Sequence, residues 1–321
     1  MAAKPKLFVL NRLPEAVEAR TMRDYDARLN ADDKTYAETE IVSGSQGMDG
    51  IVTSPTTAVK ADVIGALDES VRIIATFSVG FDHVDLAAAK ARGIAVTNTP
   101  EVLTDATADM AMLLLLAGAR RTYEGQKILR EGRWIGWRPT QLIGIGCQGK
   151  RLGIYGMGRI GQAVARRAKP FGFELHYHDQ NPLPPAKTEG AIFHADVEDM
   201  LPLCDYLTIH CPLTPETRKF LNAKRIAKLP KGAVVVNTAR GPVVDDEALI
   251  AALKSGHVAA AGLDVFEGEP KLHPGYLGLE NAYLLPHLGS ATLDTRNAMG
   301  FRALDNLDAF FKGQAPRDRV A

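Results

Sequence analysis

The chain has 321 residues, of which 46% are hydrophobic and 24% charged, the composition of a globular protein with core enough for two domains. Its 38 basic side chains balance 38 acidic ones, so no global field favours nucleic acid or an anionic membrane surface. Cys147, Cys204 and Cys211 are too scattered for a disulfide framework or a zinc motif, and the most apolar run, 110–117, is far below membrane-spanning length.

Near the N-terminus a short apolar run stops at Asn11 and Arg12, too early for a secretory signal core, and a cytoplasmic protein is the expectation. Runs 7–10, 50–53, 72–77 and 94–97 read as strands separated by helical or polar segments, which predicts a small parallel sheet. Asp82 or Asp85 can cap a helix that Gly93 ends. Asn98-Thr99-Pro100 breaks the chain, and 104–121 then reads as one long apolar helix. Residues 123–148 show no clean period and hold both tryptophans, Trp134 and Trp137, which suggests a functional or interface segment. Beyond it, runs 152–155, 173–178, 206–211, 233–238, 260–266 and 282–285 give six strands, enough for a doubly wound sheet. Helices are expected at 222–229 and 245–254, with a final amphipathic helix at 301–311.

The first of these six strands leads directly into Gly156-Met157-Gly158-Arg159-Ile160-Gly161. A helical segment follows over 162–169, then a strand that ends at Asp179, eighteen residues beyond Gly161. A bare GxGxxG is a weak signal, but strand, helix and terminal acid together are what a dinucleotide-binding unit requires. Gly156 permits the tight turn, Gly158 lets a pyrophosphate approach the backbone, and Gly161 lets the helix pack closely. The helix N-terminus offers unpaired N–H groups to phosphate, and Asp179 would accept from a ribose 2′-hydroxyl while repelling a 2′-phosphate. NAD(H) is the expected cofactor, with NADP(H) less favoured.

Ligands of doubly wound sheets bind beyond the carboxyl ends of the strands, so strand-end residues are the candidates for chemistry. They include Cys211-Pro212, Thr238-Ala239-Arg240, Asp264 with Glu269, and Pro286-His287. A guanidinium, a carboxylate and an imidazole suffice for acid–base work on a carboxylated substrate. Arg240 can grip a carboxylate bidentately, and His287 can donate a proton to a carbonyl oxygen. Glu269 can hold the imidazole in one tautomer. His176 and His178 alternate on one strand without a third ligand, Cys211 lacks a nucleophile elbow, and His83 reads as a turn residue. No metal is expected.

The motifs FSVGFDHVD, TADMAMLLLL, GIYGMGRIGQAVARR, HCPLTPETR, VVVNTARGPVVDDEAL, AGLDVFEGEP and LLPHLGS together resemble the D-isomer-specific 2-hydroxyacid dehydrogenase family, in its glyoxylate/hydroxypyruvate reductase and glycerate dehydrogenase branch. The resemblance spans nearly the whole chain. It implies two doubly wound α/β domains, with a Rossmann dinucleotide domain (101–287) inserted into a flavodoxin-like substrate domain (1–100 and 288–321). It implies catalytic roles for Arg240, Glu269 and His287, and carboxylate capture by the backbone of Val79 and Gly80. Thr107, Gly158, Arg159, Ile160, Asp179, Pro212, Thr217, Thr238, Asp264 and Gly289 match cofactor contacts, and Ala239 lies among them. Trp137 matches a tryptophan that reaches the partner subunit's active site, so a homodimer is expected. NADPH-preferring relatives tend to carry a small or neutral residue at the position of Asp179, with an arginine nearby; here Asp179-Gln180-Asn181 favours NADH.

The expected activity is NADH-dependent reduction of hydroxypyruvate, glyoxylate or another small 2-keto acid. Formate dehydrogenases of the superfamily carry glutamine where Glu269 stands, and phosphoglycerate dehydrogenases usually add a regulatory domain. Another D-2-hydroxyacid dehydrogenase, of phosphoglycerate or D-lactate type, and a non-catalytic NADH-sensing co-repressor-like protein are the alternatives.

Overall fold

In the computed structural model, which describes residues 3–321, the N-terminal third holds five parallel strands, four of them the expected apolar runs. They are β1 (Lys6–Val9), β2 (Asp26–Arg28), β3 (Gly50–Thr53), β4 (Ile73–Thr76) and β5 (Ala95–Thr97), ordered β2-β1-β3-β4-β5. This is the flavodoxin-like order. β3, β4 and β5 are buried along their whole length, which is why they read as unbroken apolar runs. β2 was not expected: Asp-Ala-Arg is a polar edge strand paired on one side only, and it carries no apolar signature.

Asp85 makes the helix cap, accepting from the Ala88 N–H at the start of Leu86–Ala91. The last helix runs Leu293–Phe311, eight residues longer at its start than its apolar period suggested. Its first turns are polar, and Thr292 caps them. Val320 and Ala321 then bond to Val96 of β5. These elements form one compact unit, the chain up to Leu103 together with Ala291–Ala321. Residues 1 and 2 of the expected first segment lie outside the described residues.

Thr104–Ser290 forms the other unit. Its strands are β6 (Arg151–Tyr155), β7 (Glu174–His178), β8 (Ile192–Phe193), β9 (Tyr206–Ile209), β10 (Ala233–Asn237), β11 (Val258–Leu263) and β12 (Ala282–Leu284). All are parallel, in the order β12-β11-β10-β9-β6-β7-β8. The sheet therefore has seven strands, not six, because two-residue β8 pairs only with His176 and Tyr177 and is too short to show a period. Strand order reverses between β6 and β9, which makes their carboxyl ends the crevice of the fold.

The long apolar helix stops at Ala119, with Arg121 in a left-handed conformation, φ 53°. A second helix, Thr122–Arg130, occupies part of the stretch expected to be irregular. Its amphipathic period is short, and the glycines that follow mask it. The helix expected over 222–229 is only Ala223–Ile226; Ala227 keeps helical backbone angles, and the Lys228 and Leu229 N–H groups bond three residues back, to Arg225 and Ile226, in a tighter final turn. Among the described residues no helix is long and apolar enough to cross a membrane.

Candidate active site

The glycine loop begins where β6 ends. Gly156 has φ 94°, and a Cβ there would lie 2.7 Å from the Cys211 backbone nitrogen, so only glycine fits this turn. A Cβ on Gly161 would lie 2.2 Å from the Gly156 carbonyl, which is how close helix Arg159–Ala168 comes to the loop. A Cβ on Gly158 would meet nothing within 4 Å. That open space, at the N-terminus of a ten-residue helix, fits a dinucleotide pyrophosphate.

Asp179 follows β7 and turns back onto this loop. One carboxylate oxygen accepts from the Met157 N–H at 2.7 Å and the other from the Gln180 N–H at 2.7 Å. Each oxygen keeps a second lone pair, so the carboxylate can still accept from ribose hydroxyls. Beyond β9, the Thr217 hydroxyl donates to the Pro212 carbonyl at 2.7 Å and ties 212–217 into one loop. Cys211 is buried and its thiol is pushed up to about 12 by that burial, so it remains a thiol.

Arg240 stands just past β10. The Asn237 amide donates to the Arg240 carbonyl at 2.9 Å and accepts from the Ala239 N–H at 2.9 Å, setting the turn that presents the guanidinium. Gly241 has no room for a side chain, because a Cβ would lie 1.9 Å from the Phe266 carbonyl carbon. This packing locks the Arg240 turn against the loop that carries Glu269. Glu269 accepts from the Phe266 N–H at 2.9 Å, and its other oxygen lies 2.8 Å from His287 Nδ1. Burial alone would raise the Glu269 carboxyl. The bonded imidazole, the Phe266 N–H and the Arg240 charge outweigh that and hold it below the usual carboxylate range. Glu269 therefore stays ionised beside the imidazole, and His287 Nε2 is the ring nitrogen left to face a substrate.

Asp264, just past β11, is 1% exposed, and its carboxylate accepts from the Leu288 and Gly289 N–H groups. Thr107 on the long helix lies against Gly289. Thr238 is buried beside His210, whose imidazole bridges the Thr208 and Thr238 hydroxyls at 2.9 and 3.4 Å. Burial pushes His210 down to about 3, so it sits there neutral. Asn237 and His210 were not among the candidates; both stand at strand ends, the one signal that would have pointed to them.

In the first unit, Asn98 donates to the Val79 carbonyl at 2.8 Å and the Ser78 hydroxyl to the Gly80 carbonyl at 2.6 Å, which orients that loop. Trp137 is 79% exposed. His176 and His178 both bond to His194, through its ring and its carbonyl respectively.

The profile of the D-isomer specific 2-hydroxyacid dehydrogenase NAD-binding domain matches residues 112–289. The chain belongs to the D-isomer-specific 2-hydroxyacid dehydrogenases and carries their nicotinamide-dinucleotide domain. It is 42% identical to a glycerate dehydrogenase of Hyphomicrobium methylovorum, over 97% of each chain. It is 41% identical to a glyoxylate reductase of Thermococcus litoralis, over 99% of this chain and 97% of that one. Among solved structures, an NADPH-dependent glyoxylate/hydroxypyruvate reductase of Sinorhizobium meliloti, in complex with NADP and malonate, matches with TM-score 0.89 at 34% identity. That match covers 99% of this chain and 97% of the other.

Proposed function

We propose that this protein reduces small 2-keto acids with NADH, hydroxypyruvate to D-glycerate and glyoxylate to glycolate. The observation that carries the reading is the 2.8 Å contact of His287 with Glu269, on a strand end near Arg240, in a chain of this family. The glycine loop, Asp179, the 212–217 loop, Thr238, Asp264 and Gly289 would hold the cofactor. When bound, the dihydronicotinamide supplies a hydride to the keto carbon. His287 delivers the proton to the carbonyl oxygen from Nε2, while Glu269 on Nδ1 stabilises the imidazolium before transfer. Arg240 binds the substrate carboxylate and polarises the carbonyl, and the N–H groups of Val79 and Gly80 are further candidates to receive the carboxylate.

A panel of hydroxypyruvate, glyoxylate, pyruvate and phosphohydroxypyruvate, each with NADH and NADPH, tests this directly. Hydroxypyruvate and glyoxylate with NADH should give the highest kcat/KM. NADH binding without turnover of any of the four would overturn the assignment.

The active form is proposed to be a homodimer in the cytoplasm, in keeping with three unpaired cysteines. Leu129, Trp134, Ile135, Trp137 and Ile143 are all exposed on one stretch of chain, a composition suited to an interface. Trp137 is proposed to line the partner's substrate site. Trp137→Ala should then change the ratio of kcat/KM for hydroxypyruvate and glyoxylate and leave NADH affinity unchanged. Lost thermal stability with an unchanged ratio would assign the side chain to packing alone.

A further inference from the structure

His287 sits in the left-handed region, φ 56°, where a side chain with a Cβ rarely goes unless its surroundings hold it there. Three successive N–H groups show what holds it. That of His287 donates to the Asp264 carbonyl at 2.9 Å and to the Leu285 carbonyl at 3.1 Å. That of Leu288 donates to one Asp264 carboxylate oxygen at 2.6 Å, and that of Gly289 to the other at 2.7 Å. A residue more than twenty positions earlier in the chain thus takes all three.

Asp264 is itself anchored, since its N–H donates to the Asn237 carbonyl at 3.0 Å. Asn237 is also the residue that sets the Arg240 turn. Gly289 lies so close that a Cβ there would stand 3.2 Å from the Asp264 carboxylate.

We propose that Asp264 is a positioning residue for His287, its carboxylate clasping the 287–289 turn so that the imidazole points at Glu269 and the substrate. The proposal deepens the reading of His287 as proton donor and rests on it. It gives Asp264 a task other than the cofactor contact that the family resemblance implies. Only a carboxylate can serve both N–H groups, because an amide of the same shape would turn an N–H of its own against one of them.

The test is Asp264→Asn, assayed with hydroxypyruvate and saturating NADH. Misplacing a catalytic group by 1 Å can cost on the order of 10²-fold, so kcat should fall by about 10–100-fold. The Kd for NADH should rise by less than kcat falls, since Asp264 is one of several groups that would hold the cofactor and the glycine loop and Asp179 are untouched. Amide hydrogen exchange at Leu288 and Gly289 should be slow in the wild-type protein and much faster in the variant. A rise in NADH Kd with kcat retained would show that Asp264 serves the cofactor alone, and a wild-type kcat would dismiss the clasp. Rapid exchange at both amides in the wild-type protein would overturn the proposal even if the variant failed to fold. Absence of keto-acid turnover by the wild-type enzyme would instead sink the functional reading, and the exchange measurement would still judge the clasp.

Discussion

Replacing His287 by alanine is expected to lower kcat for hydroxypyruvate reduction by roughly 10²–10⁴-fold, the usual worth of a positioned general acid. NADH affinity should change little, because the groups that shape the glycine loop are Gly156, Gly161 and Asp179, and none of them bonds to His287. The imidazole has one ring nitrogen on Glu269 and the other available, so its removal would take away the proposed proton source while Arg240 remains. A variant that keeps most of the wild-type kcat would assign the proton to another group. Glu269→Gln is the companion measurement. The carboxyl is held below its usual range by the imidazole and Arg240, so it carries its charge across the working pH range. Glutamine removes that counter-charge and makes a charged imidazole harder to keep. With His287 as the proposed proton donor, activity should fall off at lower pH in the variant than in the wild type. Superimposable kcat/KM profiles would mean the carboxylate does no more than pack against the ring.

Cofactor choice should turn on Asp179. A 2′-hydroxyl beside it gains a charge-assisted hydrogen bond worth roughly 1.5–3 kcal/mol, whereas a 2′-phosphate meets like charge. A preference for NADH of at least about tenfold follows, since 1.4 kcal/mol is that factor. The geometry adds a complication. Asp179 also accepts from the Met157 N–H inside the glycine loop, so Asp179→Ala should loosen the pyrophosphate cradle and weaken both cofactors. The ratio of kcat/KM for NADH and NADPH removes this shared loss and isolates the ribose contribution. That ratio should shrink towards unity in Asp179→Ala, and adding Gln180→Arg should favour NADPH further by offering a partner to the phosphate. Equal use of the two cofactors by the wild-type enzyme would show that the carboxylate serves the loop and not the ribose. The NADPH-dependent reductase of Sinorhizobium meliloti shows that a similar fold accommodates the other cofactor.

The sequence by itself determined the class of fold, because its signals are local. Buried parallel strands are unbroken apolar runs, as in β3 and β10, and Gly156 and Gly161 stand where no side chain fits. Asp85 and Asp245 cap helices one residue after themselves. The strand-end rule collected Arg240, Glu269 and His287 as candidates before any of them could be placed. Edge strands β2 and β8 escaped it, since a polar triplet or a two-residue run has too little pattern to read and is held only by its neighbour. Only the tertiary structure decided how the candidates meet. Glu269 reaches His287 across eighteen residues, and Asp264 reaches the Leu288 and Gly289 N–H groups across 24 and 25. Histidine enters the left-handed region more readily than most residues with a Cβ but still seldom, so no local preference specifies the backbone of His287. It exists because a buried carboxylate from another strand end takes the N–H groups that follow it, and no local pattern in the sequence encodes such a contact.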